Sequence, residues 1–319
     1  MTRFFNLSLL RLICLWPLVA HAGHEFACTD YTGRKVFLVG SNGEVLWEYE
    51  TGACNDLWVL PNGNLLFNTF NGVVEITRDK KVVFQYTGSP VRSAVKQKDG
   101  RVREEEKPSE IYACQRLPNG NTFIGECNSG RLLEVAPDGK TILREVRTLP
   151  HGKNGGHGYM RNARCLPNGN YLCCLYADEV VREYDPHGKI VREIPAPGGP
   201  HSAARLSNGH TLISVGDKRK TPARIETGLF EVDGAGKIVW RYSNDDLPNA
   251  PLKFMAGFHR LPNGNTVMSN WLGHGHLGKA PHLFEVTAEK KVVWSYENHK
   301  DMKTVSSVVI LAHAAGAIH

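Results

Sequence analysis

Leu60-Pro61-Asn62-Gly63-Asn64 returns as Leu117-Pro118-Asn119-Gly120-Asn121, Leu166-Pro167-Asn168-Gly169-Asn170 and Leu261-Pro262-Asn263-Gly264-Asn265, and in altered form as Leu206-Ser207-Asn208-Gly209-His210. Apolar residues flank each copy, as Ala113-Cys114 and Phe123-Ile124 do the second. Asn-Gly accepts the positive φ of a two-residue hairpin turn, and the proline stands where a strand no longer needs its N–H. Every copy therefore reads as a β-hairpin.

A second unit follows in each repeat: a polar turn, Lys or Glu, then an apolar strand. Its copies are Asn42-Gly43-Glu44-Val45-Leu46-Trp47, Asp79-Lys80-Lys81-Val82-Val83-Phe84, Asp138-Gly139-Lys140, His187-Gly188-Lys189-Ile190-Val191, Ala235-Gly236-Lys237-Ile238-Val239-Trp240 and Glu289-Lys290-Lys291-Val292-Val293-Trp294. Two hairpins per repeat, at a period of about 40–50 residues, predict four-stranded blades. No stretch keeps the 3.6-residue apolar period of helices, so the chain reads as all-β. The first repeat lacks its Leu-Pro-Asn-Gly hairpin, whereas Val305-Ser306-Ser307-Val308-Val309-Ile310-Leu311 is a strand without a partner. Placed innermost in the first blade, that strand closes a ring and leaves no open edge. The expectation is a six-bladed β-propeller with blades at 24–50 plus 304–312, 53–86, 110–146, 157–194, 200–242 and 254–296.

Residues 1–22 read as a signal peptide, with Arg3 and Arg11 around an apolar run and Ala20-His21-Ala22 as the cleavage pattern. That run is too short to span a bilayer, so residues 23–319 are expected as a periplasmic or secreted propeller with no stable membrane insertion. The chain of 319 residues carries a net charge of +6, two of it from the leader's arginines. A balance this mild gives no reason to expect nucleic acid. Seven cysteines follow the leader: Cys28, Cys54, Cys114, Cys127, Cys165, Cys173 and Cys174. The hairpins place Cys114 diagonal to Cys127 and Cys165 diagonal to Cys174, which leaves disulfides and buried thiols both open.

In such a blade the two tight turns lie on one rim and the remaining connections on the other. The second rim receives every insertion, at 87–110, 147–160, 216–228, 243–253, 269–282 and 298–304, and long loops on one face of a rigid scaffold mark the expected site. That rim is rich in cations, among them Lys153, Arg161, Lys218, Arg219, Lys220, Arg224 and Lys253. Segment 92–107 also holds Glu104-Glu105-Glu106 and reads as a mobile, self-compensating loop. The rest predicts an anionic small molecule or saccharide as ligand.

Counting back from each turn aligns Asn55, Tyr112, Arg161, His201, Ala256 and Ser306 at the level nearest the rim, and Trp58, Gln115, Arg164, Ala204, His259 and Val309 one level deeper. Convergent polar side chains mark a pocket. His201 and His259 are the candidate catalytic residues. Arg161, Arg164, His157, Gln115, Tyr112, Asn55, Lys253, Trp271 and His299 are candidate binding residues. His259 also reads as a hydrogen-bonded histidine between blades, and Arg164 as a buried charge paired with Glu126 or Asp178. His274, His276 and His282 have His-X-His spacing for a metal, with His299 to complete the set. No quinone or strong metal motif specifies a cofactor.

Leu-Pro-Asn-Gly-Asn paired with Gly-Lys-Ile-Val-Trp resembles the bacterial secreted propellers of the pyrroloquinoline-quinone-like (PQQ-like) repeat group, and is similar to the blades of arylsulfotransferases. That resemblance implies a channel histidine that carries a sulfuryl group, with His and Arg holding its oxygens; His201, His259, Arg161 and Arg164 are the positions that match by type and level. Three classes stay open: a His-dependent transferase or hydrolase, a binding module that uses the same mouth without chemistry, and a protein-interaction scaffold; a relative of the PQQ-like quinoproteins is a further alternative.

Overall fold

A computed structural model describes residues 23–216, 227–247 and 252–319. The expected signal peptide, and Lys218, Arg219, Lys220 and Arg224, lie outside the described residues. The chain builds six four-stranded antiparallel sheets and one two-stranded hairpin. The first blade holds β1 (Phe26–Asp30), β2 (Lys35–Val39) and β3 (Val45–Glu50); the second β4 (Leu57–Val59), β5 (Leu65–Asn68), β6 (Gly72–Ile76) and β7 (Val82–Thr87). After the hairpin β8 (Pro90–Lys96) and β9 (Val102–Pro108), the third blade has β10 (Ile111–Arg116), β11 (Thr122–Glu126), β12 (Arg131–Val135) and β13 (Ile142–Arg147). The fourth has β14 (Met160–Cys165), β15 (Tyr171–Leu175), β16 (Val180–Tyr184) and β17 (Ile190–Pro195); the fifth β18 (Pro200–Arg205), β19 (Thr211–Val215), β20 (Gly228–Val232) and β21 (Ile238–Ser243). The sixth is β22 (Met255–Arg260), β23 (Thr266–Asn270), β24 (Leu283–Val286) and β25 (Val292–Tyr296), and β26 (Val305–Ile310) returns to the first. There β26 pairs antiparallel with β1, Phe26 opposite Ile310, in the sheet order β26-β1-β2-β3. The fold is the expected six-bladed β-propeller, closed as expected.

The repeat's residues now have physical reasons. The first Asn of each turn caps it, its Oδ1 accepting the backbone N–H two residues on, as Asn62 does from Asn64 at 3.0 Å and Asn168 from Asn170 at 3.0 Å. The second Asn donates to a glutamate on the third strand: Asn64 to Glu75 and Asn121 to Glu134 at 2.6 Å, Asn170 to Glu183 at 2.6 Å and Asn265 to Glu285 at 2.7 Å. His210 takes that place in the altered copy, 2.8 Å from Glu231. An arginine of the next blade often completes the knot, with Arg116 on Glu75 and Arg205 on Glu183, each at 2.6 Å. Between blades lie six apolar clusters, one per junction; Phe123 stacked on Tyr171 at 5.4 Å is typical. Burial of these faces supplies the stabilisation that turns alone cannot.

Two placements need correction, and of the two alternatives for the cysteines the thiols hold. Segment 92–107 is not an irregular loop but the hairpin β8–β9, held by pairs such as Arg92–Glu106 and Lys107–Glu105. All seven described cysteines are free thiols. Cys165 sits opposite Tyr171 and Cys174 opposite Asn162, so the two are rungs apart rather than diagonal neighbours, beyond disulfide reach.

Candidate functional site

The inner strands carry a bulge near the rim. Across β10 and β11 the pairing runs from Ile111 to Ala113 and skips Tyr112; across β14 and β15 it skips Arg161, across β18 and β19 it skips His201, and across β26 and β1 it skips Ser306. A bulged residue loses its ladder partner and its side chain is re-aimed, a device that recurs beside sites. The level aligned from sequence is therefore a ring of bulges.

A cavity of about 160 Å³ opens there, lined by Tyr31, Asn55, His157, Arg161, Tyr176, His201, Phe254, Trp271 and His274. Arg161 lies between two rings, 5.0 Å from the centroid of Tyr112 and 5.1 Å from that of Tyr176. It makes no hydrogen bond or ion pair among the described residues, and its buried Nε is without a partner. His201 is buried and meets Phe254 edge to face at 5.4 Å. Burial, and then the Arg161 charge, push its pKa down to about 3, so its imidazole is neutral.

On the lip, His157 Nδ1 is 2.6 Å from Glu110 Oε2 and 3.1 Å from the Tyr112 hydroxyl, which itself donates to Glu110 at 3.0 Å. Burial alone would raise the Glu110 carboxyl, but the hydrogen bond and charge of His157 outweigh it and hold the group below its ordinary range. The Tyr31 hydroxyl extends the chain, 3.5 Å from that of Tyr112.

Three glycines make the aromatic wall possible. A Cβ at Gly199 would overlap the Tyr176 ring, one at Gly216 the Phe254 ring and one at Gly273 the Trp271 ring. Phe254 and Trp271 thereby meet at 5.4 Å, with Tyr31 beyond at 6.3 Å and His274 against the indole at 5.0 Å. Tyr31, Tyr176 and Phe254 escaped the sequence reading because none stands on the aligned level. The glycine facing each large ring was the available signal, but it is visible only once the chain is folded.

Of the candidates, Asn55, Arg161, His157, His201, Trp271 and His274 share the cavity, and Tyr112 supports it. Arg164 does not. It grips both oxygens of Asp56 at 2.8 Å, donates from Nε to the His319 backbone oxygen at 2.7 Å and covers the Trp58 ring, at the opposite end of the channel. The buried-charge alternative holds for it, with Asp56 rather than Glu126 or Asp178 as partner. His259 is there too, its Nδ1 accepting the Ile310 N–H at 3.0 Å, which is the hydrogen-bonded role between strands. The end of the chain fills that mouth: Ile318 bridges to Arg260 and His319 packs on Trp58 at 4.1 Å. Gln115 bonds both backbone groups of Cys165 and is structural. The Lys253 N–H is bound to Asn270 at 2.8 Å beside the cavity, and its side chain is not in the lining.

The metal candidates are not brought together. His274 faces the cavity, His276 closes a turn onto Gly273, and His282 is buried behind them 4.5 Å from the ring of His299. His282 Nδ1 accepts the Asn298 N–H at 3.3 Å, which puts the ring proton on Nε2 and leaves no lone pair for a metal. Among the described residues no three His, Cys, Asp or Glu side chains converge on a metal position.

With this geometry in hand, the chain is similar to a protein of unknown function from Bacteroides caccae: 26% identity and a TM-score of 0.74 over 90% of this chain and 98% of that one. It is also similar to a streptogramin B lyase, with 14% identity and a TM-score of 0.54 over 88% and 84%, and to virginiamycin B lyase from Staphylococcus aureus, with 15% and 0.53 over 89% and 88%. The likeness to the lyases is one of fold. No protein-family model and no curated protein matches the chain.

Proposed function

We propose that the rim-side mouth of this propeller binds a small anion with a planar or ring-shaped body. The observation that carries this is Arg161, a guanidinium held between two rings on the wall of an open cavity and in no ion pair among the described residues, the Glu110 carboxylate feeling its charge without contact. The guanidinium is half-buried with its Nε enclosed and unpartnered among the described residues, and a carboxylate, sulfate or phosphate group would complete it. His201 and Asn55 offer neutral hydrogen-bonding groups in the same cavity, while Phe254, Trp271, Tyr31 and Tyr176 offer flat faces to a ring. An apolar cavity of about 150 Å³ takes a benzene, so a single ring matches this size. The resemblance to arylsulfotransferases supports the same reading, since an aryl sulfate joins a ring to an anion. Residues 1–22 support an exported protein that meets such compounds outside the cytoplasm.

Calorimetric titration with benzoate, benzamide and acetate tests this. Benzoate should bind best and more tightly at low salt, and Arg161→Met should weaken it about 10–100-fold, the loss of one charge-assisted contact of about 1.5–3 kcal/mol. Equal binding of benzamide, or full binding by Arg161→Met, would exclude the anion reading.

A further inference from the structure

The two histidines of the mouth stand in opposite surroundings. His201 is buried beside a cation and makes no hydrogen bond among the described residues, whereas His157 is 53% exposed at the lip with a carboxylate on its Nδ1. A carboxylate at Nδ1 fixes the tautomer: Nδ1–H points to Glu110, and the Nε2 lone pair is left free on the other edge of the ring. Nε2 has no protein partner among the described residues, and His157 lines the cavity that Arg161 lines. The Tyr112 hydroxyl donates to the same Glu110 oxygen, so the carboxylate is held from two sides. Among the described residues no serine, threonine or cysteine lines this cavity, so no aliphatic hydroxyl or thiol is at hand for a covalent intermediate. A water at the exposed lip is.

We propose that Glu110 and His157 form a general-base dyad that activates water, and that this site hydrolyses acyl esters of ring-hydroxylated aromatic acids whose carboxylate is held by Arg161. The proposal rests on the anion-binding reading above. With the carboxylate on Arg161 and the ring against Phe254 and Trp271, a substituent across the ring extends toward the lip, where His157 stands. Nε2 takes one proton from water, and the water oxygen bonds to the ester carbonyl carbon. The carbon–aryl-oxygen bond then breaks, and the leaving phenolate keeps the electron pair and receives the proton back from Nε2. Nδ1–H and the Glu110 carboxylate are unchanged at the end, and one ester and one water have become an acid and a phenol. The ionisable groups facing His157 are Glu110 and Tyr112, with Arg161 and Tyr31 on the adjoining wall.

The test uses 4-acetoxybenzoate, followed by release of 4-hydroxybenzoate, with neutral phenyl acetate beside it. Wild type should hydrolyse the carboxylate ester with saturation. His157→Gln should lower kcat at least about 100-fold, the usual share of a positioned base, with KM within about twofold. Glu110→Gln should lower kcat about tenfold with KM within about twofold, and Glu110→Asp should recover part of the loss, a kcat-only effect with rescue that mere loss of packing would not produce. Arg161→Met should act mainly on KM, and His151→Gln, an exposed histidine outside the cavity, should match wild type. Benzoate binding without any wild-type turnover, or turnover by His157→Gln within about threefold of wild type, overturns the dyad while leaving the anion reading in place. His157-dependent hydrolysis of phenyl acetate with no binding of benzoate overturns the substrate class and the anion reading, and leaves the base.

Discussion

Replacing Arg164 by alanine separates the two arginines that the sequence sets three residues apart on one inner strand. Asp56 is 1% exposed, and its oxygens accept from Arg164 Nη1 and Nη2 at 2.8 Å, from the Cys114 N–H at 2.9 Å and from the Leu57 N–H at 3.2 Å. Arg164→Ala leaves that carboxylate buried without its counter-ion, a loss of about 3–5 kcal/mol. It also removes the Nε donor from the His319 backbone oxygen and the cation from the face of Trp58. For a domain of about 300 residues, at about 2.1 cal/mol/K per residue, the unfolding entropy is about 0.6 kcal/mol/K, so the midpoint should drop by about 5–8 °C. Circular dichroism melts report this, and the double variant Asp56→Ala/Arg164→Ala should recover part of the loss because the stranded charge is gone. Benzoate affinity at 25 °C should stay within about twofold of wild type, since Arg164 lies outside the mouth. A variant that melts like wild type but no longer binds benzoate would refute this placement and return Arg164 to the ligand.

Gly273→Ala should displace the Trp271 indole and weaken benzoate by about tenfold with little change in melting, and an unchanged affinity by calorimetry would remove Trp271 from the site. Deleting residues 304–319 should abolish soluble protein, because β1 loses its inner neighbour and the far mouth its filling; soluble protein with a wild-type melt would contradict the closure. Burial lowers His201 to about 3, and His259 and His282 to about 4, against about 6.5 unfolded. The unfolded chain then binds more protons between those values, so stability is full above about pH 6.5 and falls on acidification toward pH 4, by up to about 1.4 kcal/mol per pH unit for each group. Urea unfolding at stepped pH checks the sign, and a flat profile from pH 7 to 4 would count against it.

Architecture was legible because it is written in short-range chemistry that repeats. Asn-Gly turns, the polar turn that opens each second hairpin and the leftover strand at 305–311 fix blade count, rim and closure with no long-range information. The aligned level was legible too, since Tyr112, Arg161, His201 and Ser306 prove to be the bulged residues of their strands. The next level was not, because a channel has two ends and the spacing does not say which one a side chain faces. Arg164 and His259 match Arg161 and His201 in type, yet Asp56 and the strand edge at Ile310 claim them. The Glu110–His157 contact joins two rim connections 47 residues apart, a pairing set by how neighbouring blades abut rather than by local pattern.

Crystals of the wild-type protein soaked with benzoate test the central claim most directly. The account predicts the carboxylate within hydrogen-bonding distance of the Arg161 guanidinium, the ring against Phe254 and Trp271, and the position para to the carboxylate turned toward His157. Benzoate bound at the Arg164 end of the channel, or a mouth left to water with Arg161 swung onto a protein carboxylate, would contradict it.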